Sequence, residues 1–189
     1  LVSKKIDMAW VGGFTFVQAY KRSKGNIIPI IQRERDKKFK SVFITNKDSN
    51  IKNLVDLENK TFSFGSPSST SGHLMPRYFL MEENIIPEKF FNKIAYSGAH
   101  DATIFSVLGK KVDAGALNIS VWENFKKKNL KIKNNLNVFF TTPDYFDYNW
   151  SIRSDLPKST REKITNAFLK LDKNNANHKE ILKLQRAEK

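Results

Sequence analysis

With 189 residues and 40% apolar side chains, the chain is long enough to bury roughly 70% of the surface its unfolded form exposes, so it needs no covalent staple to fold. Having no cysteine excludes disulfides, thiol nucleophiles and cysteine metal sites, and no apolar run approaches the ~20 residues that cross a bilayer. Thirty-three Lys and Arg against 19 Asp and Glu leave a net charge of +14, which raises nucleic acid or a membrane surface as a partner. The lysines are scattered, however, with short runs only at Lys37, Lys38 and Lys40 and at Lys126, Lys127 and Lys128. No nucleic-acid-reading motif accompanies them, so they read as solvated faces that would help an anion approach.

Short apolar runs that read as strands alternate with longer amphipathic runs that read as helices. In chain order the strands fall at 6–11, 27–31, 41–45, 61–64, 93–96, 114–118, 138–141 and 149–153, and the helices at 14–22, 71–83, 101–108, 121–127 and 160–171. Such alternation predicts an α/β fold with mainly parallel sheets. Ser159 with Glu162, after Pro157, forms a capping-box pattern that starts a helix near residue 160, and Gly109 stops the helix before it. The tail 174–189 reads as a polar loop and a last helix through Ile181, Leu182 and Leu184.

The densest chemistry lies in 62–76. An apolar strand ends at Gly65, a hydroxyl-rich turn follows, and a helix begins near Ser71 with Leu74, Tyr78 and Met81 along one face. Hydroxyls and unpaired first-turn N–H groups thus gather at one helix start, where the helix dipole also favours negative charge. Neutral donors hold an anion without a trapped counter-charge, each contributing about 1.5–3 kcal/mol. A simple cap by Ser69 or Thr70 is the plain alternative; the four consecutive hydroxyl residues Ser68, Ser69, Thr70 and Ser71 exceed what a cap requires.

The string Ser69-Thr70-Ser71-Gly72-His73-Leu74-Met75-Pro76 resembles the Ser-Thr-Ser-Gly-x-Leu-x-Pro signature of the phosphonate, phosphite and phosphate solute-binding proteins of ABC importers. Three flanking stretches are similar to that family as well. They are Asp7 to Gly13; Ser41 to Ser49 with Leu54, Asp56 and Leu57; and Gly98-Ala99-His100-Asp101 with Val107, Gly109 and Val112-Asp113-Ala114. The likeness runs from about residue 6 to residue 172. It implies a type II periplasmic-binding-protein fold, two α/β lobes joined by crossover strands near 41–45 and 149–153, with the ligand enclosed between them. Residues 1–45 plus 149–189 would form one lobe and 46–148 the other, with the N-terminal part of the first lobe and its leader missing.

By the same resemblance Ser69, Thr70 and Ser71 donate to phosphorus oxygens, and His100 matches the family's ligand-contacting histidine. Phe39 stands where the family often has a ligand-contacting Tyr, which removes one donor. Ser120 and Tyr148 stand where aminoalkylphosphonate binders carry acids, so the implied ligand lacks an ammonium: phosphite, phosphate or methylphosphonate. Trp10, Phe14 and Trp150 read first as core aromatics, with a cleft wall as the other reading, and Trp10 is kept among the contact candidates. His73 and His178 read as caps or satisfied core residues. Asp144, Asp147 and Asp155 read as turn chemistry, and no metal or cofactor is expected.

The implied function is capture of a small phosphorus oxyanion outside the cytoplasmic membrane and delivery to an ABC permease. The protein would act as a monomer without catalysis, touching the membrane only through the permease or a lipid anchor. Two alternatives stand beside it: a sensory or orphan binding module of the same fold, and a hydrolase using Ser69 or Ser71 with His100 and Asp113. The hydrolase reading lacks a Gly-x-Ser-x-Gly elbow.

Overall fold

In the computed structural model, which describes residues 1–187, every expected strand forms, with ends moved by at most two residues. The elements are β1 (Met8–Val11), α1 (Gly13–Arg22), β2 (Ile27–Ile31), β3 (Ser41–Asn46) and β4 (Thr61–Phe64). A π-type turn at Thr70–Leu74 then runs into α2 (Met75–Glu82), followed by α3 (Pro87–Phe90), β5 (Lys93–Tyr96), α4 (His100–Leu108) and β6 (Ala114–Asn118). The chain finishes with α5 (Ile119–Lys128), α6 (Leu130–Asn135), β7 (Leu136–Thr141), β8 (Asn149–Arg153), α7 (Lys158–Leu169) and α8 (Ala176–Leu184). Of the expected tail, Glu188 and Lys189 lie outside the described residues.

Two compact units result, one from Leu1–Phe39 with the chain from Asp144 onward, the other from Lys40–Pro143. Strands β3 and β8, expected as crossovers, each lie wholly in the sheet of one unit. The first unit holds a three-stranded sheet in the order β1-β8-β2, antiparallel throughout. Ile27, Phe39, Tyr145, Ile152 and Leu182 are buried in this unit, and Trp150 packs on Phe168 at 5.6 Å between ring centres.

The second unit holds a five-stranded sheet in the order β5-β4-β6-β3-β7. Parallel pairing is confined to β4 with β5 and β4 with β6, while β3 runs antiparallel to both β6 and β7. The expectation of mainly parallel sheets is therefore corrected, and the cause is specific. The strands linked through helices, β1 with β2 and β6 with β7, do run in the same direction, but a strand from elsewhere in the chain is inserted between each pair, β8 in the first sheet and β3 in the second.

Strand β3 is buried at all its positions, which requires cover on both faces of the sheet. Side-chain alternation divides that cover. Phe43, Phe62, Phe64, Ala114 and Ala116 point into one cluster with Leu57, Leu80 and Phe91; Val42, Ile44 and Leu117 point into the other with Ile104, Val107, Trp122 and Ile132. Gly115 of β6 lies under α4, and a β-carbon there would stand 2.6 Å from Thr103 Cγ2 and 3.0 Å from the Ser63 carbonyl oxygen. Thr103 is β-branched and Ser63 offers backbone, so neither yields easily. Gly115→Ala should lower stability by about 1–3 kcal/mol in urea denaturation, by forcing α4 off the sheet.

One end signal is corrected, and the other holds in position but not in conformation. Ser159 does not cap α7, because the helix already begins at Lys158 with Pro157 as its cap residue; the Pro157 carbonyl accepts from Thr160 and Arg161, and Glu162 pairs with Lys158 at 3.7 Å. Gly109 does follow α4, but with an ordinary φ of −82°; the left-handed residue of that stop is Lys110, φ 54°.

Candidate functional site

The helix expected over 71–83 begins as a wider turn, and Pro76 explains why. Proline has no N–H to offer the carbonyls of the preceding turn, so those carbonyls bond elsewhere. The Ser71 carbonyl accepts from the Ser41 hydroxyl at 2.7 Å, and the Gly72 carbonyl accepts from the Gly65 N–H at 2.7 Å. The first bond inside the turn runs from the Leu74 N–H to the Ser69 carbonyl five residues back, 3.0 Å. The N–H groups of Thr70, Ser71, Gly72 and His73 all lie ahead of it.

Ser69 is the cap residue: its Oγ accepts from the Gly72 N–H at 2.9 Å, which leaves the hydroxyl proton to donate. Thr70 is 6% exposed and Ser71 1%. The Ser71 hydroxyl is buried without a hydrogen-bond partner, a state that ordinarily costs about 1–3 kcal/mol. Gly72 is closely packed on three sides. A β-carbon there would meet Ser69 Oγ at 3.0 Å, His100 Cε1 at 3.1 Å and Gly65 Cα at 3.2 Å.

Those distances also place His100 against the turn. Gly98, at φ +83°, adopts the left-handed conformation that reverses the chain after β5 and delivers His100 as the first residue of α4. His100 Nδ1 accepts the Asn118 N–H at 3.4 Å, so the ring proton resides on Nε2. Burial pushes the His100 pKa down, against the opposing charge of Asp101. The ring is accordingly a neutral donor at pH 7.

Ser120 lies in the first turn of α5, where Asn118 Oδ1 accepts from the Ser120 and Val121 N–H groups at 2.7 and 3.1 Å. Ser41 pairs in register with Asn118. Thus β4, β5 and β6 all end at one edge of the sheet, in turns carrying Ser69 to Ser71, His100 and Ser120. The chain passes from β4 outward to β5 and back across β4 to β6, and the carboxyl edge beside such a reversal is where open α/β sheets bind ligands. The parts played by Ser41 and Asn118 escape sequence reasoning because the Ser71 carbonyl and His100 lie 30 and 18 residues from them in the chain.

The remaining candidates belong to the first unit. Trp10 is 41% exposed, stacked on Tyr148 at 4.4 Å, with the Arg33 guanidinium 4.5 Å from its ring centre. It is not the core aromatic first expected: β1 is an edge strand, and Trp10 faces outward from it. Phe39 is buried, edge-on to Tyr148 at 5.6 Å and bridged through its backbone to Tyr145. Asp147, also buried, accepts from the Gly13 N–H at the start of α1, 3.1 Å.

The hydrolase constellation does not assemble. Asp113 accepts from the Thr61 N–H and hydroxyl at 2.7 and 2.6 Å, at the start of β4 and so at the opposite edge of the sheet from Ser69 and His100. His178 Nδ1 accepts the Asp172 N–H, and Asp155 is held far below the usual carboxylate range by hydrogen bonds from Arg153 and then Lys4. Among the described residues no group of three or more His, Cys, Asp or Glu could hold a metal, and no helix is long and apolar enough to cross a membrane.

Comparison with known proteins shows the family and the fold. The family model for the ABC transporter, phosphonate, periplasmic substrate-binding protein matches residues 1–189. A probable ABC transporter phosphite binding protein of Prochlorococcus marinus strain MIT 9301 is 44% identical, over 99% of this chain and 66% of its own. The phosphonates-binding periplasmic protein of Escherichia coli K12 is 30% identical, over 89% and 51%. This chain therefore spans about one half to two thirds of the length of these curated relatives. The crystal structure of the Prochlorococcus PhnD1 in complex with methylphosphonate superposes with a TM-score of 0.88 at 40% identity, covering 100% of this chain and 73% of that one.

Proposed function

The chain belongs to the family of ABC-transporter phosphonate periplasmic substrate-binding proteins, and on that premise we propose that it is the extracytoplasmic solute-binding component of an importer that captures phosphite, phosphate or methylphosphonate. The observation that carries this reading is the Ser71 hydroxyl, buried and without a partner in the first turn of a helix, with His100 against the same turn. A tetrahedral anion satisfies that hydroxyl, the donating proton of Ser69 and the His100 Nε2–H together. None of these donors carries a charge, so binding stays reversible.

The absence of an ammonium on the ligand is supported by the chemistry of the other candidates. Ser120 and Tyr148 bring no charge, and Asp36 is taken by Arg33 in a two-bond pair at 2.5 and 2.8 Å. On this reading the protein binds and releases without altering its ligand, acts as a monomer, and passes the anion to a permease.

In a thermal melt of the full-length protein, the preferred anion at a hundredfold excess over Kd should add about 2.7 kcal/mol of apparent stability. An aminoalkylphosphonate at the same concentration should add less. Unmoved melting with phosphite, phosphate and methylphosphonate at millimolar levels would defeat the proposal.

A further inference from the structure

His73, read from sequence as a cap or a satisfied core residue, occupies a more particular place. It lies inside the π-type turn and reaches back to the loop that precedes it: its Nδ1 is 2.8 Å from the Pro67 carbonyl oxygen. Its other nitrogen, Nε2, accepts from Arg77 Nε at 3.1 Å, with the Tyr96 hydroxyl also at 3.1 Å. Arginine nitrogens only donate and carbonyl oxygens only accept, so both ends require the same tautomer, proton on Nδ1 and lone pair on Nε2. Arg77 is fixed in turn by Glu88 at 2.5 Å and lies 5.2 Å from the Phe64 ring centre, while the His73 ring stands edge-on to Phe64 and Tyr96.

Pro67 sits at the tip of a tight turn, closed by the Ser69 N–H to the Ser66 carbonyl at 2.9 Å, that leads directly into Ser69, Thr70 and Ser71. We infer that neutral His73 is a positioning residue for the anion site: by clamping the Pro67 carbonyl to Arg77 and Tyr96 it holds the hydroxyl-bearing turn in its binding conformation, and protonation releases it. The inference rests on the binding site proposed above and adds a control to it. A second proton on Nε2 would face the Arg77 N–H and its positive charge, so the ring must leave Arg77 or the Pro67 carbonyl.

The charged and titratable groups facing the ring are Arg77 from α2, Glu88 from α3 and Tyr96 from β5. Burial lowers the His73 pKa, the Pro67 bond opposes this, and Arg77 and Glu88 add smaller effects of opposite sign. With the folded value below the ordinary 6.5, the unfolded chain binds the proton first. The stabilisation is thus complete above about pH 6.5 and declines as pH falls toward the folded value.

The test has two arms on the full-length protein. In ligand-free protein, nitrogen-resolved NMR of the His73 ring should show the proton on Nδ1 at pH 8, and the amides of Ser66, Ser68, Ser69 and Thr70 should titrate with the ring's own midpoint. In the second arm, methylphosphonate affinity is measured from pH 8 to pH 5 for the parent, His73→Asn and His73→Leu. Asparagine keeps a donor near the Nδ1 position and cannot titrate. It should match the parent within about threefold at pH 8 and lose less affinity than the parent once the pH falls below the His73 midpoint read in the first arm, since ligand and His100 ionisation are common to both. Leucine should weaken binding at every pH. Loop amides indifferent to the ring's titration, or parallel pH profiles for parent and asparagine variant, would overturn the inference. If the loop titrates with His73 but no anion binds, the positioning stands and the proposed function falls instead.

Discussion

Replacing Asp36 with alanine should remove about 3–5 kcal/mol from the stability of the unit that contains it, because it strips the counter-charge from a guanidinium that cannot leave. The Asp36 carboxylate is 0% exposed and the Arg33 side chain 10%, joined by bonds of 2.5 and 2.8 Å. Arg33 is also tied to the Gln185 carbonyl at 2.7 Å and lies over Trp10. A truncated partner therefore leaves the cation buried against one carbonyl and an aromatic face. Changing both partners together, Arg33→Met with Asp36→Leu, should recover much of the loss, since no buried charge then needs a partner. Trp10 and Trp150 belong to this unit and Trp122 to the other, so urea unfolding followed by tryptophan fluorescence in a Trp122→Phe background reads it selectively. A loss under about 0.5 kcal/mol for Asp36→Ala would show that the pair carries no weight.

That pair also marks where reading the sequence runs out. Glu34, Arg35, Lys37 and Lys38 are exposed, as a charge-rich run suggests, yet Asp36 in their midst is completely buried. Nothing local distinguishes it, because the burial comes from chain returning more than a hundred residues later: the Asp147 N–H donates to the Asp36 carbonyl at 3.0 Å. The strands were legible for the opposite reason, since a short apolar run such as 61–64 or 114–118 is a local property of the sequence. Their pairing was not, because β3 and β8 enter their sheets from distant segments. The family signature pointed to Ser69, Thr70, Ser71 and His100, and the structure brings the turn and His100 together at Gly72. What the pattern left unsaid was the π-type turn, which follows from Pro76 withholding an N–H, and the Ser41 hydroxyl that receives one of the carbonyls so released. His73 was undervalued because its partners Pro67, Arg77 and Tyr96 converge only once β5 lies beside β4.

Ser71→Ala separates a ligand donor from a structural hydroxyl, because the two roles predict opposite signs in the ligand-free protein. A hydroxyl buried with no partner contributes nothing to the empty fold; its removal should leave stability unchanged or raise it by up to about 1 kcal/mol. With an anionic ligand bound, the same hydroxyl donates to a charged acceptor worth about 1.5–3 kcal/mol, so methylphosphonate or phosphite affinity should fall by about tenfold to a hundredfold. Ser69→Ala supplies the contrast. Its Oγ caps the Gly72 N–H at 2.9 Å, and losing it should cost about 1 kcal/mol of stability before any ligand is added. Calorimetric titration and melting of both variants give four numbers with a fixed pattern: tight binding lost without destabilisation at Ser71, stability lost at Ser69. If Ser71→Ala instead binds like the parent and melts earlier, the hydroxyl serves the fold, and the anion must be held by other groups.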